Sequence, residues 1–330
     1  MQPAAIRYKK IILAVAMVLL AAFAAGVILH ANPDADPGIE LMKKIISVAV
    51  IALSALFLLL KYDKIVTLPM EIWQNRRLIV KLAANDFKRR YAGSYMGVIW
   101  AFVQPLVTIL LYYFVFGTIM KGARSSGSDV PFALFLTCGM VPWFFFSEAL
   151  SAGTGALLEY SYLVKKVVFK ISVLPMIKIF AALITHAFFV VLLMVLAVLF
   201  HYYPNLYWIQ LIYYTACTFV LSLAICYTTC SIIVFVRDLG QLIGVFLQIL
   251  VWATPIMWDL GLVSNPVLLT ILKLNPVLYI VNGYRNSIYG GVWFFENFFS
   301  TVYFWLVCAV LFGIGAMIYK RLKPHFADVL

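Results

Sequence analysis

Charge is scarce in this sequence. Only 12% of its 330 residues are charged and 13 are acidic, while 65% are hydrophobic; ordinary soluble domains are about a quarter charged and about half apolar. That balance excludes a soluble globular protein. Nucleotide and catalytic signatures are missing too: there is no GxxxxGK[ST] loop, no HExxH pair and no Ser/His/Asp set in a workable arrangement. The five cysteines (Cys138, Cys217, Cys226, Cys230 and Cys308) all lie in apolar stretches without a CxxC pair or a Cys/His zinc spacing, so neither disulfides nor structural metal is indicated. Asp34-Ala35-Asp36 has a DxD spacing, but its flanking prolines and lack of further ligands make it a turn. Acids are nearly absent from the apolar runs. Glu148 is the main exception, read as an interfacial carboxylate in preference to a proton relay, and the chain therefore has little means of using an ion gradient.

What is abundant is uncharged length. Charge-free runs cover 11–33, 45–60, 91–120, 130–147, 179–236, 239–258 and 297–319. A membrane-crossing helix needs about 20 apolar residues. The 179–236 run is long enough for two crossings, and His201-Tyr202-Tyr203-Pro204-Asn205 interrupts it with a polar, helix-breaking turn. Eight candidate spans result. Arg7, Lys9 and Lys10 ahead of Ala22-Phe23-Ala24 resemble a secretory signal, but the apolar run continues to full spanning length and is expected to be retained.

A net charge of +12 suggests nucleic acid in a soluble protein; in a membrane protein it reports topology, and no nucleic acid partner is expected. With the N-terminus in the cytoplasm and sides alternating, 19 of the 25 basic residues fall inside. Both termini are then cytoplasmic. The chain divides into a two-span hairpin (1–61), a basic cytoplasmic segment (62–92), a six-span core (93–323) and a short cytoplasmic tail (324–330).

Three segments stand apart from the spans. In the basic segment Ile72, Trp73, Ile79, Val80, Ala83, Ala84, Phe87 and Tyr91 share one helical arc, and Gln74, Arg77, Lys81, Asn85 and Lys88 another. Such a helix lies along the cytoplasmic membrane surface, with Arg76 and Arg90 snorkelling to the headgroups; anchor and partner-docking element are equal readings. A second cytoplasmic segment, residues 159–171, is short, basic and partly apolar, either a positive-inside loop or a docking site. Residues 259–296 hold two apolar pieces too short to cross, broken by Pro266, Asn275-Pro276 and Gly290-Gly291. They are read as re-entrant outer helices, the alternative being a hairpin on the outer leaflet.

Asp86-Phe-Lys-Arg-Arg-Tyr-Ala-Gly-Ser94-Tyr-Met-Gly97-Val-Ile-Trp100-Ala-Phe-Val-Gln104-Pro105 resembles the opening signature of ABC-type polysaccharide and polyol-phosphate export permeases. Asn275-Pro276-Val-Leu-Tyr279-Ile-Val-Asn-Gly-Tyr-Arg285 is similar to the same family's late external motif, which related drug exporters share. The resemblance covers about 76–323. It implies an all-α integral membrane protein of the bacterial cytoplasmic (inner) membrane: a homodimer of six-span permeases that carries two separate cytosolic ATPase subunits and moves lipid-linked glycan outward. The chain itself would bind no cofactor; ATP and Mg would be used by the ATPase. The helix around 71–92 (Trp73, Arg77, Lys81) and the loop around 159–171 (Tyr162, Lys165, Lys166) would contact that subunit. An O-antigen-like substrate is expected, with teichoic acid, capsule, or a drug or small lipid as alternatives. A polyprenyl-lipid-processing enzyme is disfavoured for want of acidic metal-binding pairs. The two N-terminal spans depart from the family's six-span pattern.

A lipid-linked glycan is a polar chain with an apolar tail and an anionic joint. Sugars stack on aromatic rings, so Tyr112, Tyr113 and Phe116 in the first core span and Phe246 and Trp252 in the fifth are candidate channel-lining residues; interface or helix packing is the competing role. Lys88, Arg89 and Arg90 are candidates to receive the lipid phosphate on the inner side and Arg285 to meet it on the outer side, with topology an equal reading for the cluster. Gly240-Gln-Leu-Ile-Gly244 is a GxxxG face for close helix approach, either between protomers or within one. Gly93 and Gly97 have the same spacing but sit where the surface helix turns into the membrane, and backbone freedom is their expected use.

Overall fold

The computed structural model describes residues 3–29, 37–65, 74–90, 92–93, 95–119, 130–165 and 170–330. Among them the chain is helical, with no strand. Two N-terminal helices come first, α1 (Pro3–Leu29) and α2 (Pro37–Ile65), followed by the amphipathic α3 (Arg76–Arg90). The core spans are α4 (Trp100–Tyr112), α5 (Phe132–Glu159), α6 (Leu174–Leu199), α7 (Gln210–Ile233) and α8 (Leu239–Ala253). Two short helices, α9 (Pro266–Lys273) and α10 (Pro276–Arg285), precede the last span, α11 (Phe298–Leu322).

Among the described residues five helices are long and apolar enough to cross a membrane, Gly97–Ile119, Phe132–Glu159, Ile171–Leu199, Leu206–Ile233 and Phe298–Val329, or six if the bent pair Pro266–Lys273 and Pro276–Gly290 is one span. Each of the five matches a charge-free run of the core, and of the six candidate core spans only 239–258 yields no helix of that length. The run 239–258 is helical only to Ala253, because Pro255 drives Thr254 into extended backbone (φ −93°, ψ 126°). At 1.5 Å per residue α8 reaches about 22 Å, short of a ~30 Å hydrocarbon core. The long run 179–236 divides as expected: α6 ends before His201, which takes a left-handed conformation at φ 66°, and α7 follows the turn.

The helix α5 is the hub. It packs on α6, α7, α8 and α10, and the buried residues form one continuous core that includes Ile79, Ala83 and Phe87 of α3. Those three residues seat α3 on α6. Docking on the bundle, rather than a position on a lipid surface alone, accounts for this face; Val80 and Ala84, expected on the same arc, are exposed. The bend from α3 into the first core span uses Gly93 (φ 87°) and Gly97 (φ 53°), backbone that side-chain-bearing residues rarely adopt.

The N-terminal hairpin docks on the last span. Val27, Ile51 and Val302 are buried together, with Phe298 and Leu306 packed around them. Since lipid tails are as apolar as these side chains, close packing rather than hydrophobic transfer holds the hairpin there. Gly26 admits the Phe298 ring, which would lie 3.1 Å from a Cβ at that position.

The segment between α8 and α11 is a sharply bent helix pair, α9 and the stretch Pro276–Gly290 meeting at 87°. Each short helix starts with the same device: the Asn265 side chain accepts from the Val267 and Leu268 amides, the Asn275 side chain from Val277, and a proline follows each. The helix α9 has no buried residue, with Leu269 and Leu272 half-buried and the rest exposed, whereas α10 is buried against α5, α7 and α11. A hairpin lying on the leaflet does not describe α10.

Candidate functional site

Two regions carry the candidate residues. The first is an aromatic face formed by the first and fifth core spans. After Tyr112 the first span loosens into a π-helical stretch, Tyr113–Ile119, a form that concentrates at functional positions. Phe116 lies edge-on to Tyr112 and to Trp252 of α8, each at 6.3 Å between ring centroids, so one ring bridges the two spans. Tyr113 stacks on Phe132 at 6.4 Å. Phe246 sits two turns before Trp252 and, with Leu250, Phe146, Ile271 and Pro276, lines an apolar cavity of about 230 Å³. The structure thus brings Tyr112, Phe116 and Trp252 into one aromatic chain, with Tyr113 and Phe246 flanking it.

Both spans carry a broad apolar stripe that is largely exposed among the described residues. On α8 it runs through Leu242, Val245, Phe246, Ile249 and Trp252, and on the first span through Val107, Leu110, Leu111 and Phe114. Gly240 and Gly244 lie on the exposed side of α8: a Cβ at Gly240 would meet only Ile233, at 3.5 Å, and nothing described lies within 4 Å of one at Gly244. Among the described residues, only Ile233 approaches this GxxxG face within the protomer.

The second region is the basic end of the bundle, where α3, the end of α5 and the start of α6 converge. Lys178, in the second turn of α6 and 3% exposed, donates to Asp86 Oδ1 at 2.7 Å and to Glu159 Oε1 at 2.6 Å. The Tyr160 hydroxyl donates to the same Asp86 oxygen, and the Lys178 ammonium lies 4.9 Å from the Tyr160 ring centroid. Burial, then the hydrogen bond to Asp86 and the nearby carboxylates, push the Tyr160 hydroxyl well above the usual phenol range, which keeps it a donor. Lys170 donates to Gln74 at 3.3 Å. The two cytoplasmic segments singled out in the sequence, α3 and the loop after α5, are therefore tied together at two points.

Around these ties Arg77 and Lys81 on α3, and Tyr162 and Lys165 on the single helical turn Ser161–Val164, are exposed. Trp73 and Lys166 lie outside the described residues, as do Tyr91, Ser94 and the Asp34-Ala35-Asp36 turn. Lys88 and Arg89 are exposed. Arg90 differs: it pairs with Glu148 and approaches Asp86 at 3.9 Å, so its guanidinium is held by carboxylates rather than offered to lipid phosphate, and Glu148 is an ion-pair partner. Arg285 also lies inside. It is 8% exposed, sits 3.7 Å over the Phe135 ring and donates to the Ile256 carbonyl at 3.0 Å, which fastens α10 to the chain leaving α8.

Sequence reasoning missed the polar ties that fasten α10. His186 Nε2 lies 2.9 Å from the Tyr284 hydroxyl and 3.1 Å from Thr215 Oγ1, with Thr215 and Tyr284 at 2.7 Å, so α6, α7 and α10 share one node. Tyr279 joins Tyr213 at 3.1 Å and Thr301 at 2.9 Å, and Trp305 donates to Tyr213 at 2.9 Å. A lone His in an apolar run was the available signal, since an ionisable group there needs a named partner.

An all-helical bundle with five or six helices long and apolar enough to cross, and an amphipathic helix docked on it, is a multi-pass membrane protein. A profile of the ABC-2 type transporter family matches residues 77–289, well over half of the chain, and the chain belongs to that family. It is similar to an O-antigen export system permease protein of Myxococcus xanthus, 27% identical over 225 residues, which are 68% of this chain and 85% of the relative. A protein of the same description from Klebsiella pneumoniae is 26% identical over 259 residues, 77% of this chain and 95% of the relative. A polysialic acid transport protein of Escherichia coli is 29% identical over 76 residues, 23% of this chain and 28% of the relative.

Proposed function

We propose that this chain is the permease subunit of an ATP-driven exporter that carries lipid-linked polysaccharide of the O-antigen kind from the cytoplasmic to the outer side of a bacterial inner membrane. Two copies of the chain form the transporter, with two copies of a separate ATPase subunit that uses ATP and Mg, and both termini face the cytoplasm. The observation that carries this reading is the exposed apolar face of the first and fifth core spans with Phe116 and Trp252 in contact across it. One such face is half of a channel; a second copy, approaching along Gly240 and Gly244, supplies the other half. Ring faces stack against sugars and let a long chain slide without many hydrogen bonds to break.

The exposed Arg77, Lys81, Tyr162 and Lys165, with Trp73 and Lys166 beside them in sequence, form the docking surface for the ATPase. Lys88 and Arg89 attract the lipid phosphate at headgroup level. Arg90 and Arg285 serve instead to hold α3 and α10 in place. Similarity to O-antigen export permeases over 68% and 77% of the chain favours O-antigen over capsule, teichoic acid or small lipids as the cargo. A strain lacking the chain should accumulate lipid-linked glycan in the cytoplasm, and the purified chain should hydrolyse ATP only with its ATPase partner. Turnover of a polyprenyl lipid by the isolated chain, or normal export without it, would refute the assignment. Lys88→Gln with Arg89→Gln should slow export while insertion stays normal.

A further inference from the structure

The charge node at the basic end is placed where a force-bearing joint is needed. Asp86 belongs to α3; Glu159 and Tyr160 lie at the end of α5; Lys178 belongs to α6. The loop between Glu159 and Lys178 is thus closed at its base by the 2.6 Å ion pair, and the same lysine grips α3 through the 2.7 Å pair to Asp86. Arg90 adds a tie from the end of α3 to Glu148 within α5, and Lys170 one from the loop to Gln74 just before α3.

Stability alone does not account for this arrangement. The Lys178 and Asp86 side chains are 3% and 6% exposed. Taking such a pair out of water is costly, and well-packed apolar residues in its place are often neutral or stabilising. What the pair adds is direction. The ammonium meets one oxygen of each of two carboxylates and the face of one ring, and that geometry resists sliding and rotation in a way that non-directional apolar packing does not.

We propose that Asp86, Lys178 and Glu159 form a mechanical joint that makes α3 and the loop after α5 move as one lever, passing displacement of the docked ATPase to α5 and α6. This rests on the docking surface assigned above. The three are positioning residues that act through the helices they join.

The test uses the complete complex in proteoliposomes, reading glycan export and ATP hydrolysis together with recovery of the ATPase on the tagged chain. Asp86→Asn and Lys178→Met should lower export per ATP hydrolysed by about fivefold or more, the scale of coupling between linked sites, while hydrolysis and recovery stay near normal. Lys178→Arg, which keeps the cation, should retain most of the export. The decisive variant is Asp86→Leu with Lys178→Met, which removes the buried ion pair whole and leaves only the 61% exposed Glu159 carboxylate, which water can solvate, without its cation. It should assemble and hydrolyse ATP yet remain uncoupled. If that double variant exports at the unmutated ratio, the node is only structural and the joint is overturned while the docking surface stands. If no ATPase is recovered with the unmutated chain, the docking surface fails and the joint falls with it.

Discussion

Gly283 is the point at which α10 makes its closest approach to the bundle. A Cβ at that position would lie 2.1 Å from Cε1 of Tyr214 and 2.2 Å from its Cζ. The ring has no room to yield: Tyr214 is buried, with Tyr213 and Tyr279 rings 5.0 and 5.5 Å away between centroids. Ordinary contact between carbons is about 3.5–4.0 Å, so Gly283→Ala must move α10 outward by about 1.5 Å. The next residue, Tyr284, holds hydrogen bonds of 2.7 Å to Thr215 and 2.9 Å to His186, and neither survives a displacement of that size. Overpacking costs about 1–3 kcal/mol, and each of the two lost hydrogen bonds adds about 0.5–1.5 kcal/mol, so the expected penalty is about 2–6 kcal/mol. Thermal unfolding in detergent should show it as a lowered midpoint, and export should fall because α10 borders the cavity beside α8. Gly283→Ala combined with Tyr214→Leu should recover part of the loss by making room. A Gly283→Ala protein as stable as the unmutated one would refute the reasoning.

Tyr284→Phe should cost only about 1 kcal/mol in the same unfolding assay, because His186 and Thr215 remain 3.1 Å apart and still pair. A loss above about 3 kcal/mol would mean that the hydroxyl does more than close this triad. Gly244→Leu should change protomer stability by less than about 0.5 kcal/mol, as nothing described surrounds that position. The same variant should abolish co-isolation of two differently tagged copies, and unchanged co-isolation would remove α8 from the dimer contact. All five cysteines are buried and unpaired, so a polar maleimide should label the native protein poorly and the denatured protein at all five sites. Rapid native labelling would show that these helix contacts open.

Period and composition made much of this molecule legible. Charge-free length located the core spans, and the polar turn at His201 to Asn205 divided the longest run correctly. The Asn-Pro pairs marked the starts of α9 and α10, because an N-cap and a proline at the first helical position act locally. Absence of charge does not ensure continuous helix: Pro255 ends α8 inside a run that hydropathy alone leaves unbroken.

The sequence by itself determined that the chain is a helical membrane protein, which end of the bundle is basic, and where backbone freedom is needed. These follow from hydrophobic period and from single residues acting on their neighbours. Only the tertiary structure decided what the charges do. Arg90 meets a carboxylate 58 residues away and Lys178 one that is 92 residues away, so neither pairing leaves a local trace. Both cations looked like part of a positive-inside bias, and Arg285 looked like a free cation at an exit, until packing put a carboxylate, an aromatic face or a carbonyl against each. A buried ionisable group must find a partner or give up its charge, and that partner is chosen by the helices the fold brings together.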